Sequence, residues 1–479
     1  MKTKSFLIAR LLFGLALLFS AIPVGAIERL TSTLADQTAL ELTVYNSNLG
    51  LVKDLRQLPL PRGPQELKFM DVAAQIIPTS VRIKSIKNPQ QLQVLEQNYE
   101  YDLLNPRKLL DKYVGKEVKL YTRNVYTEKE EIVTATVLSN NEGTPVYQIG
   151  RDITYGHPGR VLFPEIPQDL ISKPTLVWLL DHKTAGPVPL EVLYLTQGIN
   201  WRADYVLVLN ETDTQADLSG WVTIDNRSGA TYQNARLKLV AGDINRVQEE
   251  SRRDRKMAAP MAAAKEAAPQ FKEDSFFEYH LYTLERKTTV KDNQTKQISL
   301  LDAQFIPVKK EFIYRGFSHY FRNKIGEIIT NQKVAVFVEF QNKKENNLGM
   351  PIPKGTLRVY KQDSEKSLQL VGEDTVDHTP KDEKIRVKMG EAFDLTAVRK
   401  QMNWEKIASD SYEASYEISL RNHKKEDTVV KVVEPLPGDW KVLEHSHPYT
   451  KMDSGTLSFE VPVAKDKEAK LKYRVRLRY

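Results

Sequence analysis

The chain has 479 residues, no cysteine and a formal net charge of +7 at pH 7. The lack of cysteine excludes disulfides, thiolate nucleophiles, cysteine-ligated metal sites and a lipid anchor on cysteine. With 27% charged residues, the mild basic excess predicts a well-solvated surface, and it is compatible with weak attraction to anionic lipid or polysaccharide.

Residues 1–26 are typical of a secretory signal peptide. Three cations and no acid accompany an apolar run over residues 11–24, and Gly25 and Ala26 are the small residues that a signal peptidase requires. The run is too short for a comfortable membrane span, and no later segment approaches about 20 apolar residues. We therefore expect cleavage near Ala26, a mature chain of net charge +4 that begins at Ile27, and a periplasmic or secreted protein with no remaining transmembrane span. That compartment argues against nucleic-acid partners and nucleotide cofactors.

Apolar and polar residues alternate with a period of two along most of the remaining chain. This pattern predicts an all-β protein built of antiparallel β-sandwich modules. Residues 114–167 carry about five short runs separated by Gly, Asn and Pro, which predicts a small β-barrel-like insertion in the N-terminal half. The best helix candidate covers residues 103–113, where Pro106 would lie in the first turn.

One segment interrupts the strand pattern. A charged run followed by an Ala-rich stretch has almost nothing large to bury, so we expect a flexible linker or surface loop that trypsin cuts first, between Arg252 and Lys256. Its cations could instead contact an anionic polymer, although a solvated linker is the more usual case. The predicted parts are a signal peptide (1–26), an N-terminal β region (27–113), the barrel-like unit (114–167), a β-sandwich region (168–245), the linker or loop (246–275) and a C-terminal β-sandwich region (276–479).

Three strands end in the same way. The runs WVTIDN, VFVEFQN and YEISLRN end at Asn226, Asn342 and Asn422. Asn tolerates the left-handed conformation and bonds to its own local backbone, so it suits a strand exit. The repetition suggests related sandwich modules.

Two sets of residues suited to ligand binding also have structural explanations. The last strand has one apolar face and one basic face, which is either an anion-binding platform or a charged outer surface that prevents edge-to-edge aggregation. Its cations are Lys470, Lys472, Arg474, Arg476 and Arg478. The tryptophans could form a carbohydrate platform, but they are more often core or rim residues of β-sandwiches. They are Trp178, Trp201, Trp221, Trp404 and Trp440.

A cluster of acids with one histidine is the first candidate for chemistry. Carboxylates at such short spacing can hold calcium, and a carboxylate near a histidine can perform acid–base catalysis. Nearby cations make a salt-bridged surface turn the more usual explanation. The candidates are Glu373, Asp374, Asp377 and His378.

His445 and His447 are the second candidate. Residues two apart on a strand face the same side, so the two imidazoles could share a zinc ion. Spacing identifies no third ligand, and a loop before Pro448 is equally natural. No nucleophile elbow, zincin motif, phosphate-binding loop or dinucleotide fingerprint occurs, and we expect no cofactor and no bound metal.

Two long stretches are similar to a known family. They are residues 194–246, which contain YLTQGINWRADYVLVL and GWVTIDNRSGATYQNARLKLVAGDINR, and residues 345–399; a third, residues 416–476, follows in the expected order. Through them the chain resembles the bacterial secreted family filed as domain of unknown function 4139, and distantly the mucoidy inhibitor A proteins. The resemblance implies a secreted all-β protein without an assigned reaction and, by association, a role in exopolysaccharide or envelope biology. The long coiled coil of mucoidy-inhibitor-like proteins has no counterpart here, since no sustained heptads occur.

Two functional hypotheses follow. The first is a non-catalytic, envelope-associated interaction or structural module whose partner is an envelope protein or polysaccharide. The alternative is a hydrolase that acts on an envelope polymer through Glu373, Asp374, Asp377 and His378. A deep pocket with converging carboxylates favours the hydrolase, whereas an exposed turn favours the binding module. The sequence does not predict an oligomeric state.

Overall fold

The computed structural model describes residues 27–478 except 101, 103, 124–127, 142, 168–169, 243–269 and 277–278. The predicted signal peptide and most of the predicted linker, with its trypsin sites, lie outside the described residues and stay predictions. At the end of the predicted linker, the described residues from Phe271 onward belong to a strand.

The described chain is all-β, as predicted, with one short α-helix. Helix α1 (Pro106–Lys112) begins with Pro106 and is capped by Asn105, whose Oδ1 accepts a hydrogen bond from the Lys108 N–H at 3.0 Å. No helix among the described residues is long and apolar enough to cross a bilayer. The strands are β1 (Glu28–Ser32), β2 (Gln37–Tyr45), β3 (Leu49–Leu60), β4 (Gly63–Met70), β5 (Arg82–Ser85), β6 (Leu92–Glu100), β7 (Glu117–Arg123), β8 (Glu130–Ser139), β9 (Val146–Ile149), β10 (Asp152–Tyr155), β11 (Arg160–Leu162), β12 (Thr175–His182), β13 (Gly186–Thr196), β14 (Ile199–Leu209), β15 (Gln215–Asn226), β16 (Tyr232–Ala241), β17 (Phe271–Phe276), β18 (Tyr279–Leu284), β19 (Thr288–Val290), β20 (Gln294–Pro307), β21 (Lys309–Arg315), β22 (Ile329–Gln341), β23 (Gly355–Gln362), β24 (Leu368–Val376), β25 (Lys384–Ala408), β26 (Ser411–Asn422), β27 (Thr428–Pro435), β28 (Asp439–His445), β29 (Tyr449–Asp453), β30 (Thr456–Val463) and β31 (Lys467–Arg478). Short 3-10 turns cover Leu34–Asp36, Pro78–Ser80, Pro89–Gln91, Ser318–Phe321 and Lys344–Asn346.

The first compact unit comprises the segment that ends at Asp36, together with Leu58–Met70 and Ser85–Val188. Its four-stranded sheet, in the order β1-β4-β12-β6, buries Phe69 and Trp178, whose rings meet edge to face at 5.6 Å. A separate five-stranded sheet, in the order β10-β9-β8-β7-β11, is formed within the region predicted as barrel-like. Its end strands β10 and β11 are not paired with each other, so the insertion is an open sheet and not a closed barrel.

The second unit comprises Gln37–Gln57, Asp71–Lys84 and Pro189–Tyr479, and it contains three sheets. The first has the order β17-β18-β16-β2-β3-β13-β5, with β19 beside β16; the second has the order β20-β15-β14-β23-β24. The third has the order β28-β31-β26-β25-β22-β21-β27-β30-β29. Most pairs are antiparallel, whereas β2 with β16, β14 with β23 and β21 with β27 are parallel.

The nine-stranded sheet curls, because β30 also contacts β31 although the two are far apart in the strand order. Its inner faces enclose an apolar and aromatic core that holds one buried ion pair. Nη1 of Arg399 lies 2.6 Å from Oε1 of Glu434, and the guanidinium stacks on the ring of Tyr416 with its carbon 4.3 Å from the ring centre. Burial alone would lower the pKa of Arg399, but the carboxylate of Glu434 raises it above its usual value. The guanidinium of Arg399 therefore stays charged in the core, beside the carboxyl group of Glu434.

The three predicted asparagine exits share a structure that differs from the expected one. None has a positive φ, and each side chain is buried. Local bonding does occur, since Oδ1 of Asn226 and of Asn422 accept from the backbone N–H two residues ahead. The larger part of the arrangement is long-range, because each Nδ2 donates to one carbonyl in the loop that follows and to another that is distant in sequence. These acceptors are Ala230 (2.9 Å) and Lys291 (2.9 Å) for Asn226, Met350 (2.8 Å) and Pro380 (3.0 Å) for Asn342, and Glu426 (2.8 Å) and Val463 (3.1 Å) for Asn422.

Candidate functional site

A basic groove of about 380 Å³ lies on the outer face of the nine-stranded sheet. It crosses four adjacent strands, β27, β21, β22 and β25. We define it by the five cations that line it, which are Arg315, Lys333, Arg386, Lys388 and Lys431.

Strand alternation explains why these cations face outward. On β27, Val430 and Val432 point into the core, so Lys431 between them points out. Ile385 and Val387 in β25 are buried in the same way, which leaves Arg386 and Lys388 exposed. The outer face is thus basic because the inner face is apolar.

Strand pairing places an apolar floor between the cations. In the register of the sheet, Ile313 lies opposite both Lys431 and Ala335, and Phe337 lies opposite Lys388. The guanidinium carbon of Arg386 is 4.5 Å from the centre of the Phe337 ring. Phe317 at the rim is 54% exposed. The floor offers flat apolar surface with charges around it.

The acids near the groove do not neutralise it. Glu311 forms an ion pair with Arg386 at 2.8 Å, and Lys388 pairs with Glu391 at 2.9 Å. Burial works to raise the pKa of Glu311, but the hydrogen bond from Lys309 and the charges of nearby cations, including Arg386 and Lys431, outweigh it and lower the pKa. One carboxylate is therefore shared among several cations.

Three of the groove cations have no ion-pair partner. Arg315, Lys333 and Lys431 make no ion pair with any residue that the structure describes. Cations without a partner, beside a flat apolar floor, can accept an anionic ligand without first breaking an internal pair.

The predicted carboxylate cluster lies elsewhere, at β24 and the turn that follows it. Oε2 of Glu373 lies 2.6 Å from Nε of Arg358, and Oδ2 of Asp374 accepts the Lys388 N–H at 2.7 Å. Asp377 is exposed and 3.6 Å from Nζ of Lys354, and Nδ1 of His378 accepts the Lys354 N–H at 3.2 Å. These contacts hold a sheet edge and an exposed turn together. No group of three or more His, Asp or Glu that could hold a metal ion occurs among the described residues.

His445 and His447 lie at an exposed strand end, with His445 the last residue of β28 and His447 beyond it. Nδ1 of His445 is 2.9 Å from the carbonyl oxygen of His447, and Nδ1 of His447 is 2.9 Å from Oγ of Ser446. One ring nitrogen of each histidine is therefore engaged locally. A role for either residue in metal binding stays a prediction.

The other predicted binding residues are in structural surroundings. The cations of β31 pair with acids on neighbouring strands, for example Lys472 with Glu417 at 3.2 Å, or in the turn between β25 and β26, where Asp410 pairs with Arg478 at 2.8 Å. Trp178 and Trp201 are buried, and the other three tryptophans are at least partly buried. The basic groove was not predicted from the sequence, because its cations are spread over more than a hundred residues. A usable signal was the alternation of cations with buried apolar residues in IRVKM and VVKVV.

The sequence profile of the family described as Domain of unknown function (DUF4139) matches residues 190–479. The match includes every residue of the basic groove and all of the nine-stranded sheet. A search of the curated proteins found no match. Because the matched region is more than half of the chain, the protein belongs to the DUF4139 family.

Proposed function

We propose that the protein is a non-catalytic, envelope-associated binding module that holds a carboxylated polysaccharide in the basic groove. The observation that carries the proposal is the set of three cations, Arg315, Lys333 and Lys431, that have no ion-pair partner among the described residues and surround an apolar floor.

The chemistry of the groove fits a charged sugar polymer. Cations bind carboxylates by charge-assisted hydrogen bonds, and an exposed apolar ring such as that of Phe317 suits the apolar face of a sugar ring. The predicted signal peptide supports a location outside the cytoplasm, where such polymers occur.

The hydrolase alternative has less support. It rests on Glu373, Asp374, Asp377 and His378, and these side chains engage local cations and backbone groups at a sheet edge. The basic groove contains one lining acid, Glu391, which pairs with Lys388. General acid–base hydrolysis of a glycoside ordinarily needs two carboxyl groups, one on each side of the bond that is cleaved.

The test is binding of polygalacturonate oligomers to the purified protein, with neutral dextran as the comparison ligand. Replacing Arg315, Lys333 and Lys431 by Gln should weaken binding about tenfold or more, because three charge-assisted contacts are lost. Higher salt should weaken wild-type binding, and the oligomer length should stay constant throughout.

The matched control removes the same charge elsewhere. Lys470, Lys472 and Arg478 on β31 are exposed and paired with acids, so replacing them by Gln should leave binding unchanged. Three results would overturn the proposal. They are equal losses of affinity in the two triple variants, binding of dextran as tight as that of polygalacturonate, and shortening of the oligomer.

The location is tested separately by N-terminal sequencing of the exported protein. The expected first residue is Ile27. Recovery of the intact N-terminal segment in a membrane fraction would show an uncleaved anchor instead.

A further inference from the structure

A second concavity, here called the apolar cleft, opens where β25 faces β14, β23 and β24, and its volume is about 280 Å³. That size is near the lower end of small-ligand pockets, which are roughly 300–1,000 Å³. Glu391 is the one residue that lines both the cleft and the basic groove among the described lining residues. Its apolar lining is Leu209, Phe312, Val336, Val338, Val371, Met389, Ala392 and Phe393.

An excursion of β25 builds one wall of the cleft. The register with β22 pairs Ala335 with Glu391 and then Lys333 with Thr396, so the residues between Glu391 and Thr396 leave that ladder. The excursion follows Gly390, whose φ of 138° favours glycine. Such irregularities re-aim side chains and are frequent beside functional sites.

Phe393 is the residue that the excursion presents. It is 96% exposed, the largest exposed fraction among the described large hydrophobic residues. Burial of a fully exposed Phe side chain contributes about 2 kcal/mol, so a ligand in the apolar cleft that also covers Phe393 would gain that stabilisation. A bound apolar chain would supply that cover.

The polar end of the cleft has an excess positive charge. Asp213 lies between two lysines, with its Oδ1 2.6 Å from Nζ of Lys361 and its Oδ2 2.7 Å from Nζ of Lys310. Burial works to raise the pKa of Asp213, but these two hydrogen bonds lower it, so the carboxylate stays ionised. Two ammonium groups therefore share one carboxylate, and each lysine side chain is 30% exposed.

Over its whole lining the cleft has no net charge, because the three lysines that line it, Lys310, Lys361 and Lys424, are matched in number by three acids, Asp213, Glu391 and Asp394. Lys424 and Asp394 both line it, and Glu391 pairs with Lys388 at 2.9 Å. Nζ of Lys424 lies 4.7 Å from the ring centre of Phe312 and 3.2 Å from Glu426. The positive excess is therefore local to the end of the cleft at Asp213, where Lys310 and Lys361 share one carboxylate.

We infer that the apolar cleft binds a medium-chain anionic amphiphile, with its carboxylate at Lys310 and Lys361 and its alkyl chain against Phe393 and the apolar wall. The match is one of charge and polarity: one positive charge in excess at one end, and apolar surface over the rest. This site is separate from the polysaccharide proposed for the basic groove and does not depend on it.

The test is calorimetric titration of the purified full chain with decanoate and, as the neutral match, decanol. Decanoate should bind with one site per chain and about tenfold more tightly than decanol, because only the carboxylate can use the excess charge. Lys361→Gln leaves one ammonium for one carboxylate at Asp213. This variant should lower the affinity for decanoate to that for decanol and leave the affinity for decanol unchanged.

Phe393→Ser should lower the affinity for both ligands about fivefold, since it removes apolar surface that covers the alkyl chain. Its side chain is almost fully exposed, so the variant should fold normally. Phe305→Ser is the matched control, because Phe305 is 67% exposed and does not line the cleft.

Three outcomes would overturn the inference. They are no decanoate binding up to about 1 mM, equal affinity for decanoate and decanol in the wild type, and decanoate affinity that neither Lys361→Gln nor Phe393→Ser reduces. The two sites are distinguished by testing each variant with the ligand of the other site. The triple Gln variant of Arg315, Lys333 and Lys431 should keep decanoate binding, and Lys361→Gln should keep polygalacturonate binding.

Discussion

Two basic surfaces on the same sheet differ in what surrounds them. On β31, cations at alternate positions form a continuous basic face. Acids on the neighbouring strand β26 neutralise it, since Glu413 forms ion pairs with Arg474 and Arg476, and Glu417 forms ion pairs with Lys470 and Lys472. The basic groove has cations from four strands and fewer acids among them. A row of cations along one strand therefore says little about net local charge, because the neighbouring strands decide whether that charge is neutralised.

The largest expected effect concerns the ion pair inside the sheet that carries both surfaces. Arg399→Gln leaves Glu434 buried without its partner, so it should lower the free energy of unfolding by about 3–5 kcal/mol. Urea denaturation followed by circular dichroism measures this loss. Arg478→Gln breaks an exposed pair, with the Arg478 side chain 71% exposed, and should cost less than about 1 kcal/mol.

A double variant separates burial from charge. Replacing both Arg399 and Glu434 by Leu removes the buried charges together and should recover a large part of the stability lost in Arg399→Gln. Equal losses in Arg399→Gln and Arg478→Gln would show that depth in the sheet does not set the strength of these pairs.

The second prediction concerns the neutralised basic face of β31, which should bind the polysaccharide once its acids are removed. In the background of the triple groove variant, Glu413→Gln with Glu417→Gln removes the ion-pair partners of Lys470, Lys472 and Arg476, whereas Arg474 keeps Glu444 at 3.4 Å. Affinity for polygalacturonate should rise about three- to tenfold, because the local charge is no longer compensated. Fluorescence anisotropy of a labelled oligomer measures the gain.

The control changes net charge by the same amount elsewhere. Glu327 and Glu365 are exposed and make no ion pair with the described residues, so replacing both by Gln should give no gain. A gain of the same size in this control would mean that total charge, rather than its arrangement on β31, controls binding.

The smallest expected effect is on pH dependence. Hydrogen bonding by Lys472 is the main cause that lowers the pKa of Glu417 below 4.5 in the folded protein. A carboxyl group with a lowered folded-state pKa adds stability above its unfolded-state pKa, and this stability disappears as the pH falls through the folded-state value. The wild type should therefore be more stable than Glu417→Gln by about 1 kcal/mol or less at pH 7, and this difference in stability should shrink as the pH falls below 4.5.

Thermal unfolding between pH 7 and pH 3 measures that difference. The stability of Glu365→Gln should follow that of the wild type at every pH, since Glu365 is exposed and makes no ion pair with the described residues. A constant gap between Glu417→Gln and the wild type would show that Glu417 acts through packing and not through its charge.

The sequence predicted the parts of this molecule that depend on near neighbours. Alternation identified the strands and the two faces of β31, and the Gly- and Pro-separated runs identified the five strands of the insertion. The asparagine exits were placed correctly, but their bonding was not: Nδ2 of Asn226 reaches the carbonyl of Lys291. Such partners are set by tertiary pairing, which a local pattern does not contain.

The candidate site was harder to predict for the same reason. Its cations run from Arg315 to Lys431, and only the register of β27, β21, β22 and β25 brings them together. The acids that neutralise the β31 face, such as Glu413, lie some 60 residues from their partners along the chain. Local charge patterns therefore identified the neutralised surface and missed the one with free cations.

The parallel pair of β2 and β16 has a consequence for synthesis. Glu41 lies opposite Arg236, so the edge of β2 that faces β16 stays without its partner until residues 232–241 have been made. Contacts this distant in sequence slow folding, because a long loop must close before they form. A chain truncated before Tyr232 would keep an open sheet edge, and such edges recruit other chains. We therefore expect a fragment that ends before Tyr232 to be prone to aggregation, because β16 is the strand that covers this edge of β2.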